Sequence, residues 1–126
     1  MLGDKNVHAV IGVKDLDAAK KFYGDTLGLK LSEENPGGVK CISGNREIMI
    51  YQSAFAGTNQ ATAASWDVDD VTDTVETLKG KGVSFEHYND LPGVTLEGDV
   101  HVMGPMQAAW FKDPDGNILC VSNGAM

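Results

Sequence analysis

The feature that most constrains this chain is an internal repeat. The segment GVKDLDAAKKFYGDTLGL begins at Gly12 and DVDDVTDTVETLKGKGV begins at Asp67. Superposed, they bring Val13 onto Val68, Asp15 onto Asp70, Leu16 onto Val71 and, after a one-residue gap, Gly28 onto Gly82. The ends of the halves match as well, with EIMIYQS from Glu47 lying over NILCVSN from Asn117. The chain therefore reads as two copies of one supersecondary pattern.

Each half reads as strand, helix and three strands. Asp15 and Asp70 suit helix N-caps, where a short carboxylate accepts from an unpaired backbone N–H. Leu16, Ala19, Phe22, Tyr23 and Leu27 recur at helical spacing, as do Val71, Val75 and Leu78. Gly28 and Gly82 supply residues that end a helix in the left-handed conformation. Alternation and turn signals place first strands at Val7 to Val13 and Ala61 to Val68, and last strands at Glu47 to Ser53 and Asn117 to Ser122. The DPDG of Asp113 to Gly116 reads as a tight turn between the final two strands. The expected class is α+β: two βαβββ modules, residues 5–54 and 60–124 of a single domain, forming a cupped mixed sheet with helices on the outer face.

The halves are unequal. The stretch HYNDLPGVTLEGDVHVMG, residues 87–104, has no counterpart in the first half and reads as a lid, a binding loop or an ordinary surface excursion. His87 and His101 fall in it and are expected to face solvent.

Composition excludes several functions. A chain of 126 residues has room for one core. No apolar run approaches the roughly 20 residues of a membrane helix. The opening MLGDKNVHAV lacks a secretory pattern, which leads to the expectation of a cytoplasmic protein. A net charge of −8 argues against nucleic acid and favours a cationic small ligand over an anionic one. Cys41 and Cys120 show no metal-ribbon or CxxC spacing and read as thiols. No Gly-rich phosphate loop and no GxSxG elbow is present.

VHAVIGVKDLDAAKKFYGDTLGLKL, with its Phe22-Tyr23 pair and closing Leu27-Gly28, resembles the opening module of vicinal oxygen chelate proteins. AAWFKDPDGNILCVSN is similar to their closing module. The likeness is to the small bacterial group of glyoxalase, bleomycin resistance and dioxygenase type. It implies paired βαβββ modules around a cup and, often, a homodimer. In metal-using members it implies a divalent ion held by His or carboxylate residues on the first and last strands of each module.

By that resemblance His8 takes the first-strand ligand position and Cys120 the last-strand position of the closing module. The repeat then gives Ala63 and Ile50 as their counterparts. Ile and Ala have no lone pairs, and divalent sites draw three or more protein donors. The expectation is accordingly no metal and no cofactor, with an improvised set of His8, Cys120, Asp67, Gln52 and His101 as the rival.

Taking His8 to face inward, strand parity puts Val10, Ile48, Ile50, Gln52, Ala63, Ser65, Asp67, Ile118, Cys120 and Ser122 in the cup. The same parity puts Val7, Ala9, Ile11, Met49, Tyr51, Ala64, Trp66, Leu119 and Val121 under the helices. One of Trp110 and Phe111 must face the cup, and parity leaves open which. The expected ligand-binding set is His8, Ile50, Gln52, Ser65, Asp67, Trp110 and Cys120. Such a lining suits metal-free binding or sequestration of an organic molecule, cationic or aromatic, by a homodimer that engages neither nucleic acid nor membrane. The alternatives are a divalent-metal lyase, isomerase or dioxygenase with altered ligands, an enzyme using His8 without metal, and a module with no small-molecule role. Whether one chain or two would form the cup stays open at this stage.

Overall fold

In the computed structural model, which describes residues 1–124, both halves fold as the repeat requires. The first runs β1 (Ala9–Val13), α1 (Leu16–Lys20), β2 (Lys30–Asn35), β3 (Gly38–Ser43) and β4 (Arg46–Gln52). The second runs β5 (Thr62–Asp67), α2 (Val71–Gly80), β6 (Phe85–Glu86), β7 (Thr95–Glu97), β8 (Val100–Met103), β9 (Met106–Lys112) and β10 (Ile118–Ser122). The first sheet has the order β1-β4-β3-β2, and the second β5-β10-β9-β8-β7, with β6 paired to β9. In each module the first strand lies parallel to the last and the remaining pairs are antiparallel. The class is α+β.

The helix starts follow the capping argument. Asp15 accepts from the Ala18 N–H at 3.1 Å, and Asp70 from the Asp73 N–H at 3.0 Å. Beyond Lys20 the first helix widens into a π-helical stretch, Lys21–Thr26, marked by Leu27 N–H donating to Phe22 O at 2.9 Å. The wider turn brings two consecutive aromatics toward the interior. Tyr23 is fully buried, and Phe22 packs against the core.

The helix-bearing faces of both sheets feed one continuous apolar cluster, with Ile11, Ile50 and Cys41 from the first and Phe111, Leu119 and Val121 from the second. Phe22 meets Phe111 across the module boundary with ring centroids 6.4 Å apart. A polar knot ties the same boundary. Asp113 is 5% exposed, and its carboxylate accepts from Tyr23 Oη at 2.7 Å, Asn117 Nδ2 at 2.8 Å, and the Asp115 and Asn117 N–H groups at 2.9 Å each. Asn117 Nδ2 also donates to Gly12 O of β1, and Asn117 Oδ1 accepts from Gly57 N–H in the linker. Gly57 has φ +71°, and a Cβ there would overlap the Asp115 carbonyl, so only glycine lets the linker lie on the turn.

The additional stretch of the second half is not a free loop. Residues 95–103 form the β7–β8 hairpin on the sheet edge, and β6 and β8 pair with successive parts of β9. Asp99 anchors it, accepting from Lys79 Nζ of α2 at 2.8 Å and lying 2.7 Å from His87 Nε2. These partners, Lys79 first, hold the Asp99 carboxyl below its ordinary range. No helix among the described residues is long and apolar enough to cross a membrane.

The knot generates a stability prediction. Tyr23→Phe removes one of four donors to a buried carboxylate, and bonds to charged groups are worth about 1.5–3 kcal/mol. Urea unfolding should show a loss in that range. A loss below about 0.5 kcal/mol, the scale of an inconsequential surface change, would mean that the bond contributes little.

Candidate functional site

The register of the second sheet assembles a row of side chains on its open face, the face away from the helix. Ser65 pairs with Cys120, and Cys120 with Trp110. The next row runs Asp67, Ser122, Ala108 and His101. Paired residues project to one side of a sheet, so these rows form one surface. Trp110 therefore belongs to the open face, whereas Phe111 is 1% exposed in the core. Four of the expected residues, Ser65, Asp67, Trp110 and Cys120, are brought together here.

Trp110 is held at both ends. Its Nε1 donates to Thr62 Oγ1 at 3.0 Å. His101 and Tyr88 meet its ring edge-to-face, with centroids 4.9 and 5.5 Å away. His101 is completely buried on β8, which corrects the expectation of a solvent-facing loop histidine. The alternation Val100-His101-Val102 carried the signal for a strand, but the flanking glycines and acids outweighed it. The Tyr88 N–H donates to His101 Nε2 at 2.9 Å, so that nitrogen is the acceptor and the proton sits on Nδ1. Nδ1 is buried without a hydrogen-bond partner among the described residues. Burial pushes the His101 pKa below 6.5 and raises those of the Tyr88 phenol and the Cys120 thiol. Cys120 is accordingly a protonated, inert group at neutral pH.

The first sheet is oriented differently from the expectation. β1 and β4 pair Val10 with Met49 and Ile11 with Ile50. Ile48 and Ile50 are 6% and 1% exposed in the core, while Met49 and Tyr51 share the open face with Val10. The inward placement of Ile48 and Ile50 is thus corrected, and so is the placement of Met49 and Tyr51 under the helix. Ile11 corresponds to Trp66 through the repeat, and Trp66 pairs with Val121. Hence Ile50 corresponds to Val121, and the counterpart of Cys120 is Met49. The run Ile48-Met49-Ile50-Tyr51 is apolar throughout, so its parity was not legible from alternation. Gln52, at the strand end, donates to Lys14 O and lies apart from the open-face rows. His8 is exposed just before β1.

The four family ligand positions consequently read His8, Met49, Ala63 and Cys120. They offer one imidazole, one thioether, one methyl and one buried neutral thiol. No group of three or more His, Cys, Asp or Glu side chains among the described residues could hold an ion. This donor set does not fit a divalent metal, which draws on three or more good donors at one point.

Beside the open face lies a cleft of about 290 Å³ where β5 meets the start of β1 and β4. Ser65 and Asp67 border it from the second module, and Val7, Arg46 and Glu47 from the first.

A β-helix-β-β-β repeat with this pairing defines a recognised class, and sequence comparison agrees. Residues 5–121 match the model of the glyoxalase/bleomycin resistance protein/dioxygenase superfamily. The chain belongs to that superfamily. Solved structures of the same fold include a lactoylglutathione lyase from Agrobacterium tumefaciens, with 19% identity, TM-score 0.71 and coverage of 95% of this chain and 93% of that one. A glyoxalase family protein from Enterococcus faecalis gives 19%, 0.74, 97% and 99%. A bleomycin resistance determinant encoded on the transposon Tn5 gives 17%, 0.72, 97% and 99%.

The buried imidazole yields a pH prediction. With its pKa depressed on folding, His101 binds fewer protons in the folded state than in the unfolded state just below pH 6.5. Stability then rises with pH through that window and falls on acidification. Wild type should lose more stability between pH 7 and pH 5 than His101→Gln, whose amide oxygen can still accept from Tyr88. Equal losses in urea midpoints would contradict the assignment.

Proposed function

We propose that the protein binds and sequesters a small organic molecule carrying an aromatic ring and a positive charge, without a metal ion. The observation that carries this reading is the row Ser65–Cys120–Trp110 with Asp67 beside it. It sets a hydroxyl and a carboxylate against an aromatic floor. A Trp ring attracts a cation through its quadrupole and stacks on a flat ligand. The Asp67 carboxylate adds direct attraction, and the net charge of −8 steers cations toward the surface. The Glu47 carboxylate on the far wall of the cleft acts in the same sense, partly offset by Arg46.

The protein acts as a homodimer in this reading. On the first sheet Val10, Met49 and Tyr51 are 58%, 36% and 45% exposed on one open face. A second copy covering that face would remove apolar surface from water at about 25 cal/mol per Å². Sedimentation at micromolar concentration should give the dimer mass.

The functional test is calorimetric titration with a panel of aromatic amines and quaternary ammonium compounds. A binder is expected, with affinity reduced about tenfold, ~1.4 kcal/mol, in both Trp110→Leu and Asp67→Asn. Elemental analysis of protein purified without added metal supplies the opposing outcome. Stoichiometric zinc, iron, nickel or manganese, lost in His8→Ala, would replace this reading with a metal-dependent lyase, isomerase or dioxygenase.

A further inference from the structure

We infer that the chain carries a second small-molecule site, on the helix-bearing side, for a neutral ring compound with one hydrogen-bond acceptor. A cavity of about 310 Å³ opens there between the β3–β4 turn of the first module and α2 of the second. It is separate from the open face of Trp110 and Asp67, neither of which lines it.

The walls define the ligand. Leu29 and Ile42 come from the first module, and Trp66, Leu78, Phe111 and Val121 from the second. No charged side chain lines the cavity. An ion entering it would shed hydration with nothing in return, so the occupant is uncharged. The cavity is open to solvent on one side, and its volume falls at the lower end of ordinary ligand pockets. Apolar walls of this kind hold ring systems better than they hold water.

Two hydroxyls line the cavity, and they differ in what they can offer. Thr74 Oγ1 donates to Asp70 O at 2.9 Å, so its proton is committed. Ser43 Oγ accepts from Trp66 Nε1 at 2.8 Å, which leaves its own proton uncommitted among the described residues. The cavity thus presents one donor beside an indole, the complement of a carbonyl or ether oxygen on an aromatic ring. Ser43 and Trp66 also border the charged cleft, so this hydrogen-bonded pair is the wall between two chemically different spaces.

The probe is 6-propionyl-2-(dimethylamino)naphthalene, a neutral naphthyl ketone whose emission moves to the blue in apolar surroundings. Titrated into wild type, it should show saturable, blue-shifted emission at one equivalent per chain and receive energy from Trp66. Thr74→Phe, which fills the cavity from α2, should weaken binding by about tenfold or more. Ser43→Ala should weaken it about threefold, the scale of one modest hydrogen bond. Asp67→Asn should leave it in place. Should Thr74→Phe fail to fold, Leu29→Phe fills the same space from the first module and gives the same reading. Binding that survives both filling variants, or that is lost in Asp67→Asn, would put the dye on the open face and overturn the assignment. So would the absence of saturable binding to wild type. Failure here leaves the open-face reading intact, since that one is tested with cationic ligands and Trp110.

Discussion

The arrangement of this molecule depends on one buried carboxylate. Asp113 sits in the turn between the last two strands, yet it accepts from the helix of the other module through Tyr23 and from its own turn through three further donors. A carboxylate removed from water is tolerable only when its lone pairs are engaged, so these partners are required together. Through Asn117 the same knot reaches β1 and the linker. It therefore sets how the two βαβββ modules meet, and with them the shared core that Phe22 and Phe111 complete. Burial and the adjacent carboxylate raise the Tyr23 phenol pKa far above its usual value, so Tyr23 stays a donor at any physiological pH.

With the helix-bearing faces committed to the core, the opposite faces lie outside that cluster, and they differ. The first carries exposed aliphatic and thioether groups with Tyr51. The second carries an indole fixed by Thr62, Tyr88 and His101, edged by Ser65 and Asp67. Among the described residues neither face gathers three or more His, Cys, Asp or Glu side chains that could hold a metal. The groups on the second face are suited to stacking, cation attraction and hydrogen bonding.

Much of this was legible in advance because it rests on local rules. The two N-cap aspartates, the helix-ending glycines and the strand-helix-strand order follow from short-range bonding and steric preference. Taking His8 to face inward and carrying that parity through the resemblance and the repeat put Ser65, Asp67 and Cys120 on the face they share in the structure. In β4 four successive apolar residues carried no alternation signal, and the repeat, aligned by length, slipped by one. His101 was misplaced because residues 87–104 look like a loop by composition, although they include a hairpin whose stability comes from pairing with β9 and from the Asp99 anchor.

The amino-acid sequence on its own determined the repeat, the α+β class and the superfamily resemblance, since each depends on residue type and spacing along the chain. Tertiary structure decided which face each strand of the first sheet presents, that Trp110 rather than Phe111 lies on the open face of the second, and that an apolar cavity is bordered by Trp66. These depend on register and on contacts between residues distant in the chain, such as Tyr23 with Asp113, whose energies arise only when the modules are docked.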